Sequence, residues 1–190
     1  MPRQVDYDER RRQVVEAVCR LADERGLEGV TLRDVAERAG VSMGAVQRCF
    51  RTKDEMLVVA LTHVSEEFAA RVRTADEDSP AAALSRAAHD VALIDTGRRP
   101  EAQVWLAFVA RAAVTPHLAT ILKGAYPQAH ALLTRLIRAA TGAPAARAGR
   151  EARTLLALAD GLTVQTLLGQ LDRAEAGRVL DAYVKGLGAE

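Results

Sequence analysis

An all-α fold follows from three features of the sequence. Apolar side chains recur at helical spacing through most of its length, alanine supplies thirty-seven of the 190 residues, and asparagine, the residue of tight Asn-Gly hairpins, is absent. Hydrophobic residues make up 49% of the chain, enough to bury a real core, so intrinsic disorder is excluded. The predicted architecture is about nine helices: an N-terminal three-helix domain over 1–52 and a larger helical domain over 53–190.

The first helix is expected over residues 8–25. Val14, Val15, Val18, Leu21 and Ala22 form its apolar stripe, and Gly26 is a natural stop. Thr31 caps a short second helix, with Asp34 placed to complete a capping pattern, and Gly40 ends it. Ser42 caps a third, in which Ala45, Val46, Cys49 and Phe50 repeat at helical spacing. Thr52 and Glu55 form a capping box for a long fourth helix, about Lys53 to Thr74, with Met56, Leu57, Ala60, Leu61, Val64 and Phe68 on its apolar side.

Ala75-Asp-Glu-Asp-Ser then breaks the pattern. Ser79-Pro80, Arg99-Pro100 and Thr115-Pro116 each set a proline just inside the start of an apolar run, where its missing N–H costs nothing, and predict three more helix starts. Pro127 is expected to kink or split the helix that begins at Pro116. Two last helices are expected near 148–169 and 172–187.

Charge is balanced, with 26 basic and 25 acidic side chains, so no global field is available to hold nucleic acid. It is instead local: from Arg38 to Lys53 the chain carries Arg38, Arg48, Arg51 and Lys53 and no acid. This segment lies within Leu32 to Phe50, two short helices joined at Gly40 with the spacing of a helix-turn-helix. Gly40 permits the left-handed backbone that reverses the chain, Val41 pins the turn, and Ser42 starts a helix whose unpaired N–H groups suit a DNA phosphate.

Thr31 through Leu57 resembles the TetR family of one-component bacterial repressors. The family pattern is kept at Ser42, Gly44, Val46, Phe50, Lys53, Glu55, Met56 and Leu57, while Gln47 stands where tyrosine is common. Trp105-Leu-Ala-Phe108 and Ala157-Leu-Ala-Asp-Gly-Leu162 are similar to the BetI-type branch of that family. The resemblance implies a ligand-responsive transcriptional regulator, a repressor that binds a palindromic operator as a homodimer and is released by a small organic effector.

On this reading Ser42 to Phe50 enters the major groove, with Arg33, Met43, Gly44, Ala45 and Gln47 nearest the bases. Thr31, Ser42 and Lys53 fix register on phosphates, and Arg48 divides between phosphate contact and a solvated face. An apolar effector pocket is expected between the fourth helix and the helices from Pro80 to Ala140. Phe68, Trp105, Phe108 and Tyr126 are its candidate walls and His89 and Gln165 its polar anchors. The dimer is expected from the last two helices through Leu155, Leu158, Leu162, Leu167 and Tyr183.

No phosphate-cradling glycine loop, HExxH, GxSxG or Cys/His cluster is present, so neither an enzyme nor a resident metal or cofactor is expected. The four histidines are scattered. Cys19 and Cys49 read as reduced thiols, and with no apolar signal or membrane-length run a cytoplasmic protein is expected. A helical carrier or enzyme with a vestigial helix-turn-helix, and an activator without effector, stay open at the level of sequence.

Overall fold

The computed structural model describes residues 2–26, 29–73 and 79–188 of the chain. These residues hold nine helices and no strand. They are α1 (Pro2–Arg25), α2 (Leu32–Ala39), α3 (Met43–Cys49), α4 (Lys53–Arg73), α5 (Pro80–Ala92), α6 (Arg99–Ala112), α7 (Pro116–Thr141), α8 (Ala145–Leu167) and α9 (Arg173–Gly186).

Local chemistry sets the helix ends. At α2, Asp34 N–H donates to Thr31 Oγ1 at 3.2 Å and Thr31 N–H donates to Asp34 Oδ2 at 2.8 Å, a reciprocal capping box. Gly40 closes α2 at φ 65°, its N–H bonded to Glu37 O and that of Val41 to Ala36 O, the pair of bonds of a Schellman turn. Ser42 Oγ accepts Ala45 N–H at 3.2 Å to start α3. The cap of α4 differs slightly from expectation. Thr52 Oγ1 accepts Glu55 N–H at 3.1 Å, but the Glu55 carboxylate reaches back to Arg51 N–H at 2.5 Å. Ser79-Pro80, Arg99-Pro100 and Pro116 stand at the starts of α5, α6 and α7 as predicted.

Two expectations need correction. The first helix begins at Pro2, well before residue 8, with proline in the N-terminal place it tolerates. The predicted split at Pro127 does not occur: α7 runs on from Pro116 to Thr141. Pro127 is exposed, so the carbonyl it deprives of a partner can meet water, while Leu133 and Ile137 beyond it are anchored at 0% and 1% exposure.

The chain divides into two compact units. One unit comprises Met1–Glu67 with Gln103–Leu118; the other comprises Phe68–Ala102 with Ala119–Glu190. In the first, α1, α2 and α3 pack together, with Val14, Val18, Leu21, Val35, Val46 and Phe50 buried. The second is built on α5, α8 and α9, which pack on one another around Leu84, Ala88, Leu133, Leu155, Leu162 and Leu180. Alanines at 88, 148, 152, 159 and 176 are each fully buried, so the small side chains serve close helix packing. Helix α6 contributes its first turn to the second unit and the rest of its length to the first.

Candidate nucleic-acid interface

The exposed edge of α3 is the surface of interest. Val46 and Phe50, at 0% and 2% exposure, turn into the first unit's core, and Met43, Gly44, Gln47 and Arg48 face solvent on the opposite side. Gly44, Gln47, Arg48 and Arg51 line a shallow hollow. A Cβ added at Gly44 would meet nothing within 4 Å. Glycine inside a helix costs roughly 1 kcal/mol relative to alanine, and no packing of the protein's own explains it here. The missing side chain leaves room for something outside the molecule.

Three side chains along this edge are engaged within the protein itself. Ala45 is 6% exposed, so its methyl belongs to the core, because at one residue from Val46 it shares the buried side of a short helix. Thr31 is occupied as a cap: its hydroxyl lies 2.6 Å from Asp34 Oδ2 and gives its proton there, and Asp34 is itself bridged by Arg25 at 3.0 Å. These contacts hold the Asp34 carboxyl below its usual range, the Thr31 hydroxyl first among them. Arg38 is paired in bidentate fashion with Glu24, at 2.6 and 2.5 Å, which removes it from the expected basic run and lowers the Glu24 carboxyl. Arg33, Ser42 and Lys53 are exposed, and Ser42 keeps its hydroxyl proton because its cap bond only accepts.

Arg111 of α6 donates to Asp54 at 3.0 Å and His117 lies 3.7 Å from the same carboxylate. This fastens the first turn of α4 beside Lys53.

Residues 14–60 match the family described as bacterial regulatory proteins of the tetR family, and residues 80–189 match the C-terminal domain of BetI-type transcriptional repressors. A BetI transcriptional regulator from Burkholderia thailandensis is 34% identical over 97% of this chain and 96% of its own. The chain belongs to the TetR family of bacterial transcriptional regulators. Its resemblance to the regulator PksA of Bacillus subtilis, 42% identical, is confined to 73 residues, 38% of this chain and 36% of that one. A solved transcriptional regulator from Rhodococcus sp. RHA1 superposes with a TM-score of 0.79 at 34% identity, covering 93% of this chain and 95% of its own. A regulator from Saccharomonospora viridis, solved with choline, has the same fold at a TM-score of 0.76 and 23% identity, over 94% and 96% of the two chains. As a TetR-family protein this chain is a DNA-binding transcriptional regulator with a helix-turn-helix at its N-terminus and a helical domain behind it.

The TetR-type sensor residues expected from sequence fall in separate places. The Phe68 side chain lies outside the described residues. Trp105 is half-buried and Phe108 fully buried, both within the first unit. In the second unit His89 is held between Asp95 and Asp181, each 3.0 Å from one ring nitrogen. Burial works against its protonation, but the bonds to Asp181 and Asp95 outweigh it and raise the pKa. Tyr126 Oη donates to Asp160 Oδ2 at 2.8 Å in a groove it shares with Pro127, His130, Arg153, Leu156 and Ala157. Burial, then the Asp160 carboxylate, push the Tyr126 phenol up. Gln165 is exposed, and neither it nor His89 lines that groove.

Sequence reasoning missed a cavity of about 240 Å³ in the second unit. Leu93, Ile94, Ala102, Leu167 and Leu171 are its apolar walls, and Thr163 and Thr166 its hydroxyls. No motif marks it, since its lining comes from two turns and the ends of three helices.

Of the expected dimer residues, Leu155 and Leu162 are 0% and 2% exposed and are consumed by their own protomer's core, since they lie on the side of α8 that meets α5 and α9. Leu158, Leu167 and Tyr183 are partly buried, and Leu168 is 66% exposed. Tyr183 Oη donates to Glu151 Oε2 at 2.7 Å and ties α9 to α8; burial and that carboxylate push its pKa up to about 12. Among the described residues there is no group of three His, Cys, Asp or Glu that could hold a metal, and no helix is long and apolar enough to cross a membrane.

Proposed function

We propose that this regulator is a homodimeric repressor that reads a palindromic operator with α3 and is released by a small, weakly polar or amphipathic organic molecule held in the second unit. The observation that carries the DNA-reading part is the open edge of α3: Gly44 without a packing reason, flanked by exposed Met43, Gln47 and Arg48. Arg33, Ser42 and Lys53 supply donors at its borders for phosphates. Ala45 contributes a small buried side chain that lets the backbone approach, and Thr31 shapes the site through its cap.

Effector and operator act in opposition when each favours a different arrangement of the two heads, and the coupling is reciprocal. Tyr126 beside Asp160 offers a ring face and a carboxylate, a combination suited to an amphipathic effector with cationic character. A gel shift with the DNA flanking the protein's own gene tests the reading. The expected result is a sequence-specific complex whose affinity falls steeply with salt. A carrier or enzyme with an idle helix-turn-helix would give none.

A further inference from the structure

The cavity beneath the α5–α6 turn carries two features that packing alone does not account for. Thr166 Oγ1 is buried there and has no hydrogen-bond partner among the described residues. A buried hydroxyl without a partner is disfavoured, so the position calls for an atom from elsewhere. Leu93, which closes α5 and forms one wall, adopts φ 50°, the left-handed region that a branched apolar side chain rarely enters; among the described residues it is the one such non-glycine. The strained wall is braced. Thr163, 2% exposed, places Oγ1 2.6 Å from the carbonyl of Ala92 and 2.8 Å from that of Ala159, so one hydroxyl straps the end of α5 to α8.

The mouth defines the ligand's charge. Four charged side chains border it: Asp95, Arg99, Asp172 and Arg173. Both acids are engaged, Asp95 by the His89 ring at 3.0 Å and Asp172 by Glu175 N–H at 2.8 Å, where it caps α9. Arg173 opens α9, at the end where the helix dipole is positive, and has no ion-pair partner among the described residues. A volume of about 240 Å³ equals on the order of eight waters at ~30 Å³ each, room for roughly eight heavy atoms.

We infer that this cavity is a binding site for a short aliphatic carboxylate, its chain between Leu93, Ile94, Leu167 and Leu171, its carboxylate at Arg173, within reach of the Thr166 hydroxyl. The site is separate from the Tyr126 groove and does not depend on the effector reading of that groove.

Hexanoate, with eight heavy atoms, is the probe, and hexylammonium and hexanol are its controls with the same number of carbons. Thermal unfolding of the full chain is followed as each is titrated. Hexanoate is expected to raise Tm saturably with Kd on the order of 1 mM, and the controls at least tenfold more weakly. Arg173→Gln should weaken hexanoate about tenfold and Thr166→Val severalfold. Ala102→Leu, which puts three more carbon atoms into the cavity and leaves too little room for the whole chain, should weaken the response about tenfold, and methyl NMR of the wild type should show Leu93, Ile94 and Leu171 shifting together. Equal responses to all three probes, an unaltered hexanoate response in Arg173→Gln and Ala102→Leu, or no shift at all, as a merely water-filled void would give, each overturns the assignment. If Ala102→Leu fails to fold, the methyl shifts and Arg173→Gln decide the matter. A gel shift on operator DNA without hexanoate reports separately on the regulatory reading, so the two can fail independently.

Discussion

Gln47 and Lys53 separate two ways of holding DNA. Both are exposed, but Gln47 stands on the open edge of α3 and Lys53 at the first position of α4. An amide on the recognition helix can pair with adenine N6 and N7, whereas a lysine at the border meets the phosphate and carries no sequence information. Gln47→Ala is therefore expected to cost about 1–3 kcal/mol on the true operator and relax preference at one symmetric pair of positions. Lys53→Ala should weaken all sequences alike and flatten the salt dependence. Gel shifts on an operator series at several salt concentrations distinguish them; equal losses on every variant would move Gln47 to the backbone.

His89 makes a second residue-level prediction, about stability. Its ring, bonded on both sides by carboxylates, has a pKa raised in the folded state above the unfolded value of about 6.5. The folded state binds the proton more tightly, so the added stability is fully present below about pH 6.5 and is lost as pH rises through the folded pKa. The Tm of the wild type should fall through that window relative to His89→Gln, which lacks the titrating ring. Parallel Tm profiles for the two proteins would show that the bridge contributes nothing.

Glycines 40 and 44 lie four residues apart and act oppositely within their elements. Gly40 closes α2 at φ 65°, with open space where a Cβ would stand, so Gly40→Ala costs backbone strain alone, about 1–2 kcal/mol, measured by chemical denaturation. Gly44 sits in α3 with equally open surroundings and no left-handed backbone. Gly44→Ala should stabilise the protein by up to about 1 kcal/mol while weakening operator binding. Loss of stability would mean that the glycine serves the fold rather than the DNA surface. These elements were legible in the sequence because their ends are local: Thr31, Ser42 and Ser79 each accept the backbone N–H three residues on, and nothing distant is needed. A split at Pro127 was misread because the penalty of a proline is local but its compensation, burial of Leu133 and Ile137 further along α7, is not. The pairing of Arg38 with Glu24, fourteen residues apart, and the cavity around Thr166 are tertiary in the same sense.

At the scale of the whole molecule, α8 serves the core with one side and, in the proposed dimer, would meet a partner with another. Leu155 and Leu162 turn inward, while Leu158 is partly buried and Leu168, just past the helix end, is 66% exposed. A proposed two-fold dimer through this outer side assigns the leucines different losses. Leu155→Ala should cost about 2–5 kcal/mol of stability without changing the sedimentation of the folded protein. Leu158→Glu with Leu168→Glu should leave a folded monomer of 20.4 kDa. The DNA carries the same geometry. In the proposed dimer, two α3 helices related by a two-fold axis would meet successive major grooves about 34 Å, one helical turn, apart or somewhat more. Five base pairs inserted at the centre of the operator turn the half-sites to opposite faces of a duplex that repeats every ~10–10.5 base pairs. Affinity should then fall to that of a single half-site, because a head held by a rigid interface cannot follow the rotation, and the double variant should bind both operators equally weakly. An operator that tolerates the insertion with full affinity in the wild type would refute the two-fold arrangement even if sedimentation shows a dimer.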